Sequence, residues 1–177
     1  MRLFVGLELP WDIRVRLAQL SGGIPGARWV PAENLHLTLR FIGEVNAPQA
    51  EEIDLSLATL RGRVLDLVFA GVGSFAKSGR ETQLWVGVER NPGLEHLQTK
   101  VETALQRAGL AAERRRFTPH VTLARLDNAV PEKIGGFLQA HNLFRAEPMR
   151  VVHFTLFSSQ LGKEAAVYTS EVEYALS

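Results

Sequence analysis

The chain of 177 residues carries 20 Lys and Arg against 19 Asp and Glu, a formal net charge of +1. It contains no cysteine, so disulfides and thiolate metal sites are excluded. The balanced charge gives no indication of a long nucleic-acid footprint, and 46% hydrophobic residues are sufficient for one folded domain of this length.

The first ten residues contain a short apolar run that Glu8 interrupts and Pro10 follows, which makes a poor signal-peptide core. No apolar run elsewhere approaches the ~20 residues that a membrane helix needs. Together with the absence of cysteine, these features predict a cytoplasmic protein that does not enter a membrane.

The first half of the chain shows both strand and helix patterns. Alternating apolar residues predict strands over Arg2–Leu9, His36–Ile42, Val64–Phe75 and Thr82–Val88. One helix is predicted from Pro10 to the stop at Gly22-Gly23, and a second follows the N-cap residue Asn46. Gly43 is expected to close the strand that begins at His36.

The second half repeats this rhythm. Helices are predicted from Asn91-Pro92 to the C-cap Gly109 and, more briefly, from Pro131. Strands are predicted over His120–Leu126, Val151–Phe157 and Val167–Tyr174. Because helices and strands alternate and some strands are adjacent, the predicted fold class is α+β.

Two short motifs of one pattern lie far apart in the chain: His36-Leu37-Thr38-Leu39 and His120-Val121-Thr122-Leu123. Side chains on a strand alternate between faces, so each motif directs an imidazole and a hydroxyl to one face. A lone His-x-Thr would be weak evidence, but a matched pair on two predicted strands indicates a functional site.

Two imidazoles facing each other across a groove suit in-line displacement at phosphorus. One takes a proton from the attacking water while the other gives a proton to the leaving oxygen, and an unperturbed pKa of about 6.5 leaves both forms available near neutrality. The threonine hydroxyls can donate to the non-bridging oxygens. The scheme needs no metal ion, and it leaves open which histidine is the acid.

These residues resemble the signature of the two-histidine phosphoesterase superfamily, which is defined by two His-x-Thr-x motifs. The flanking stretches Arg2–Gly6, Leu35–Val45 and Phe117–Arg125 are similar to its bacterial and archaeal RNA 2′,3′-cyclic phosphodiesterase branch, long named 2′-5′ RNA ligase. The resemblance covers essentially the whole chain.

The resemblance implies one bilobal domain over residues 1–177, with two pseudo-twofold-related lobes of antiparallel sheet and outer helices around a central cleft. It implies hydrolysis of RNA 2′,3′-cyclic phosphodiester ends to 2′-phosphomonoesters, with reversible 2′-5′ ligation as an associated reaction. By this resemblance His36 is the proton donor, His120 is the proton acceptor, and Thr38 and Thr122 hold the phosphate.

The expected partner is therefore an RNA with a 2′,3′-cyclic phosphate terminus, including tRNA-like fragments, and nucleotides are candidates for the cleft. No cofactor and no metal ion are expected. The balanced surface charge is compatible with a monomer. His153 lies in an apolar stretch and is predicted to be structural.

Three further residues are candidates for substrate binding. Arg125 follows the second motif, and the resemblance suggests that it contacts phosphate, although simple alternation places it opposite His120 unless a bulge redirects it. Arg40 shares parity with His36 and is placed to reach a phosphate or to be a solvated strand-end charge. Phe41 is placed to stack a base or to pack in the core.

Other catalytic classes lack their motifs. There is no His-Glu-x-x-His for a zinc hydrolase, no Gly-x-Ser-x-Gly for a serine hydrolase and no P-loop. Two rival functions stay open: a non-catalytic protein that binds RNA ends, and a related phosphoesterase for 2′-5′ oligoadenylate or an ADP-ribose cyclic phosphate.

Overall fold

The computed structural model describes residues 1–177. Its strands are β1 (Arg2–Glu8), β2 (Ala27–Trp29), β3 (His36–Glu44), β4 (Leu65–Leu67), β5 (Phe69–Lys77), β6 (Arg80–Val88), β7 (His120–Leu126), β8 (Met149–Val151), β9 (His153–Leu161) and β10 (Ala166–Ala175). Its helices are α1 (Trp11–Ala18), α2 (Ala47–Ala58), α3 (Pro92–Arg107) and α4 (Pro131–His141), and a short 3₁₀ helix covers Ala32–Asn34.

Two four-stranded antiparallel sheets form the frame of the molecule. The first sheet has the order β10-β9-β1-β3 and joins both ends of the chain, while the second has the order β2-β7-β6-β5. Strands β4 and β8 form a separate pair. The predicted α+β class with two antiparallel sheets is confirmed.

The helices begin where their capping residues predicted. At α2 the Asn46 side chain accepts a hydrogen bond from the Gln49 backbone, and the Gln49 side chain accepts one from the Asn46 backbone, which forms a capping box. At α3 the Asn91 side chain accepts from the Leu94 backbone, with Pro92 in the first turn. These bonds satisfy amides that would otherwise lack partners.

The first predicted helix was too long, because α1 ends at Ala18, before Gly22-Gly23. Three predicted strand boundaries were also wrong. The predicted strand Val64–Phe75 is two strands, β4 and β5, which pair with different neighbours. Val151–Phe157 likewise spans the end of β8 and most of β9. Gly43, with a φ of 93°, lies inside β3 instead of ending it. In each case pairing with distant strands sets the boundary, which local pattern does not reveal.

One continuous core runs beneath both sheets. A single cluster of 38 buried residues includes Leu37 of β3 and Val121 of β7, the apolar residues that follow the two motif histidines. Helix α3 packs on β3, α2 contacts β10, and α4 packs on β5. No helix is both long enough and apolar enough to cross a membrane.

Candidate active site

His36 begins β3, and a backbone carbonyl fixes its ring. Its Nδ1 lies 2.7 Å from the Asn34 carbonyl oxygen, and since a carbonyl can only accept, Nδ1 carries the proton. In the neutral ring Nε2 is therefore the acceptor, and the Thr38 hydroxyl, 3.0 Å away, donates to it. These two hydrogen bonds fix both the tautomer of the neutral His36 ring and the direction in which Nε2 points.

His120 begins β7 in the same way. Its Nδ1 donates to the Thr118 carbonyl oxygen at 2.6 Å, again two residues before the histidine. Its Nε2 is left with a lone pair that can accept a proton. The Thr122 hydroxyl donates to Gln83 Oε1 at 3.2 Å, so this threonine is held by β6 and leaves His120 free.

Strands β3 and β7 contact each other, although they belong to different sheets. The two histidines are near enough that a charge on His120 lowers the pKa of His36. Burial is the main cause of the lowered pKa of His36, and the charge of Arg125 adds to it, while the Asn34 carbonyl opposes it. Burial also lowers the pKa of His120, against the Thr118 carbonyl.

Aromatic rings surround both imidazoles. The rings with centroids within 6.2 Å of an imidazole are Phe4, Phe157 and Tyr168 at His36, and Phe75 and Trp85 at His120. Tyr168 meets His36 edge-on at 5.1 Å, and Phe75 meets His120 edge-on at 4.9 Å. These rings supply the burial that lowers both pKa values.

A β-bulge carries Arg125 to the face of the motif. In the pairing of β6 with β7, Leu84 lies opposite Ala124 but Trp85 lies opposite Thr122, so Leu123 has no partner. The extra residue reverses the alternation, which leaves Ala124 buried and Arg125 exposed. Arg125 then lies opposite Gln83, and its charge acts on His36.

An equivalent bulge in β3 corrects the expectation for Arg40. Val5 pairs with Arg40 but Gly6 pairs with Thr38, so Leu39 has no partner. Arg40 therefore no longer lies on the face of β3 that carries His36 and Thr38. Its guanidinium donates to Glu102 on α3, at 2.7 and 3.3 Å, and to the carbonyls of Ala111 and Phe41. These bonds direct the Arg40 guanidinium to α3 and occupy all three of its nitrogens, so it is not available to bind a phosphate.

The same bulge turns Phe41 toward the face of His36. Phe41 pairs with Phe4, its ring lies 6.1 Å from the Phe4 ring, and it is 54% exposed. Of the two roles predicted for Phe41, this position favours the exposed ring over the core residue.

Several residues of this site were not predicted. The carbonyls of Asn34 and Thr118 have no side-chain signature, although both stand two residues before a motif histidine. Gln83 and Tyr168 come from β6 and β10, and only strand register brings them to the motifs. Their sequence neighbourhoods carry no catalytic pattern.

Comparison with known proteins agrees with this geometry. The sequence model of the family described as LigT-like phosphoesterase matches the chain twice, over residues 7–85 and 86–168. The protein is therefore a phosphoesterase-fold protein of two related halves, and it belongs to the LigT-like phosphoesterase family.

Relatives and solved structures support the assignment. The chain is 30% identical to the RNA 2′,3′-cyclic phosphodiesterase of Archaeoglobus fulgidus, over 95% of this chain and 96% of that protein. It is 40% identical to the protein of the same name from Aeropyrum pernix, over 66% of each chain. The structure of Escherichia coli LigT complexed with 3′-AMP superposes with a TM-score of 0.80 at 27% identity, covering 99% and 97% of the two chains. Other structures of that protein were solved with ATP and with phosphate.

Proposed function

We propose that this protein hydrolyses RNA 2′,3′-cyclic phosphodiester ends to 2′-phosphomonoesters without a metal ion. The observation that carries the proposal is the matched pair of imidazoles. Each has its Nδ1 proton held by a carbonyl two residues earlier, which leaves Nε2 for proton transfer. The relatives that bear the name RNA 2′,3′-cyclic phosphodiesterase support this substrate class.

The reaction consists of one displacement at phosphorus. His120 Nε2 accepts a proton from water as the water oxygen attacks, and the bond from phosphorus to the 3′ oxygen breaks. His36 Nε2, protonated at the start, gives its proton to the 3′ oxygen. The products are a 2′-phosphomonoester and a free 3′-hydroxyl, and the two histidines end with exchanged protonation states. The assignment of donor and acceptor rests on the family resemblance, because in both motifs a carbonyl two residues earlier holds Nδ1 and leaves Nε2 for proton transfer.

The remaining polar groups would hold the phosphate. When His36 is protonated, its Nε2 donates to the Thr38 oxygen, so the Thr38 hydroxyl is free to donate to a non-bridging oxygen. The Thr122 hydroxyl would exchange its present acceptor, Gln83 Oε1, for another non-bridging oxygen. Arg125 supplies the positive charge on the same face. The exposed ring of Phe41 offers a surface on which a base of the RNA end can stack.

The first test uses a short RNA with a 2′,3′-cyclic phosphate, followed by phosphorus NMR in EDTA. The expected result is a 2′-monoester resonance. Replacement of either His36 or His120 by Ala is expected to lower kcat by about 10²–10⁴-fold, the usual contribution of one acid or base. The matched control is His96→Ala, because His96 is an exposed histidine on α3. Turnover that EDTA abolishes would contradict the proposal.

The rival function, an RNA-end binder without catalysis, predicts a different outcome. It would show tight binding of the cyclic end by the wild-type protein with no 2′-monoester formed. For the enzyme, His36→Ala should remove turnover while the affinity for the cyclic end changes little. Rates on 2′-5′ oligoadenylate and on an ADP-ribose cyclic phosphate compare the remaining substrate classes.

We also propose that the working form is a monomer, since one chain carries both motifs and the aromatic rings around them. A cytoplasmic location is proposed with it, because the chain has no cysteine and needs no disulfide. Joining of RNA ends, including tRNA-like fragments, through a 2′-5′ bond would use the same two histidines with a 5′-hydroxyl in place of water. His120 would accept the proton of the 5′-hydroxyl as its oxygen attacks phosphorus, the bond from phosphorus to the 3′ oxygen would break, and His36 would give its proton to the 3′ oxygen. Incubation of one RNA with a 2′,3′-cyclic phosphate end and a second RNA with a 5′-hydroxyl end, both at high concentration and analysed by gel, tests the joining reaction. A size-exclusion profile at the mass of a single chain tests the monomer.

A further inference from the structure

We propose that Glu8, His153 and Glu173 form a binding site for one divalent transition-metal ion. The three side chains come from β1, β9 and β10, neighbouring strands of the first sheet. Their candidate ligand atoms all lie within 4.8 Å of one another. The site plays no part in the proposed hydrolysis, so the two proposals stand or fall separately.

The distances between His153 Nε2 and the two carboxylates are slightly longer than those around a bound ion. His153 Nε2 lies 3.9 Å from Glu8 Oε2 and 3.8 Å from Glu173 Oε1. Two ligands bound tetrahedrally to zinc, each at about 2.0–2.2 Å, lie about 3.3 Å apart. Small rotations of the two glutamate side chains, which are both partly exposed, cover the difference.

The nitrogen that would bind the ion has no other partner. His153 Nε2 is buried and makes no hydrogen bond. A buried polar atom without a partner is costly, and most such atoms in proteins are satisfied. Each carboxylate has His153 as its only ion-pair partner, so two negative charges converge on this imidazole. A divalent cation would satisfy the nitrogen and neutralise both carboxylates.

A second unpartnered group lies beside the cluster. Thr155 is fully buried, and its hydroxyl makes no hydrogen bond. It stands two residues after His153, on the same face of β9, and it pairs with Glu173 on one side and Gly6 on the other. The Thr155 hydroxyl is therefore placed to donate to a carboxylate that binds the ion or to a water that completes its coordination.

The ligand set defines the kind of ion. One imidazole and two carboxylates are the ligand types of zinc sites with three protein ligands and an open fourth position. Ca²⁺ and Mg²⁺ prefer oxygen ligands throughout, so the imidazole selects against them. The geometry points to Zn²⁺ or a similar ion, bound on three strands of one sheet.

The experiment is a calorimetric titration of the tag-free, metal-stripped chain with Zn²⁺. We expect one Zn²⁺ per chain, and at least about a tenfold weaker affinity in His153→Gln and in Glu173→Gln, since loss of a ligand costs no less than loss of a supporting group. His96→Ala, which removes an exposed histidine on α3, should bind like the wild type. The double variant His36→Ala/His120→Ala should also keep its Zn²⁺.

A thermal measurement keeps the test valid if a variant is unstable. Zn²⁺ should raise the Tm of the wild type by mass action and raise the Tm of Glu173→Gln by less at the same Zn²⁺ concentration. Glu173 is about half exposed, so this variant is expected to fold. No binding at 100-fold molar excess of Zn²⁺ would overturn the proposal. So would binding that the His36→Ala/His120→Ala variant loses and His153→Gln retains.

Discussion

At the scale of single residues, the two imidazoles share a device that places the reactive nitrogen. Each Nδ1 donates to the carbonyl of the residue two positions earlier, on the extended chain that leads into the strand. The carbonyl fixes the tautomer and favours the protonated ring, while burial favours the neutral ring. Burial is the larger effect at both histidines, so both pKa values are lowered.

This balance predicts the pH dependence of the reaction. The base must be neutral and the acid must be protonated, so kcat/KM follows a bell-shaped profile. Lowered pKa values move both limbs of the profile to lower pH. The base is already neutral, and therefore active, at a lower pH, and the acid also loses its proton at a lower pH. We expect the maximum of kcat/KM below about pH 6.5, the ordinary histidine pKa. Rates measured from pH 4 to 9 check this, and a maximum at pH 8 would contradict it.

Arg125 connects substrate binding with this profile. Its positive charge lowers the pKa of His36, so Arg125→Gln should shift the alkaline limb to higher pH. The same change removes a charged donor to the phosphate, with an expected loss of about 10–100-fold in kcat/KM. Arg107→Gln is the matched control, because Arg107 is an exposed arginine in the last turn of α3 and belongs to neither sheet. Equal effects of both substitutions would assign the loss to general surface charge.

At the scale of elements, the bulges in β3 and β7 sort the residues that follow each motif. The first bulge turns Arg40 to α3 and Phe41 to the face of His36, and the second brings Arg125 to the face of His120. Alternation without a bulge predicts the opposite for Arg40 and Arg125. The bulges are thus the devices that give each motif its flanking groups.

Arg40 should therefore contribute to stability and little to catalysis. Arg40 and Glu102 share two hydrogen bonds with both side chains largely buried, and the Arg40 hydrogen bond is the main cause that lowers the pKa of Glu102 to about 2. We expect Arg40→Met to cost about 1–3 kcal/mol of unfolding free energy at pH 7 in urea, with kcat/KM within about threefold of wild type.

The sign of the pH effect provides a control. The lowered pKa of Glu102 means that the pair stabilises the fold above the unfolded pKa of 4.5 and that this stabilisation is lost as pH falls toward 2. The gap between wild type and Arg40→Met should narrow from pH 7 to pH 3. A large loss of kcat/KM in Arg40→Met, without a loss of stability, would contradict this prediction and assign Arg40 a role in substrate binding.

Local sequence was sufficient for the helices and for the two motifs, and insufficient for what surrounds them. Asn46 and Asn91 predict where α2 and α3 begin, because an N-cap residue bonds backbone amides within the first turn of its own helix. His36 and His120 stand out because each motif is complete within four residues. Tyr168 meets His36 only through the register of β10, β9 and β1, and the bulge at Leu39 exists only in a strand pair. Both depend on pairing between distant segments, which no local pattern contains.

At the scale of the whole molecule, the two halves of the sequence do not correspond to the two sheets of the fold. The family model matches two consecutive halves. In contrast, the second sheet combines β2, β5 and most of β6 from the first half with β7 from the second half, and β9 and β10 from the second half complete the first sheet. The chain therefore exchanges strands between its halves, and neither half contains a complete sheet with its core. This arrangement ties the positions of His36 and His120 to the folding of the entire chain.

The shared core predicts that the molecule unfolds as one unit. Leu57 on α2 packs behind the first sheet and Leu84 lies on β6 in the second, and both are fully buried in the single cluster. Leu57→Ala and Leu84→Ala should each lower the unfolding free energy by about 2–5 kcal/mol. Trp29 and Trp85 lie in the second sheet and Trp11 lies on α1, so in a Trp11→Phe background fluorescence reports the second sheet while far-UV circular dichroism reports all elements. Each substitution should shift both urea transitions by the same amount. If Leu57→Ala shifted the circular dichroism transition and left the fluorescence transition in place, the sheets would unfold independently, and the two histidines would be held together by docking instead of by one core.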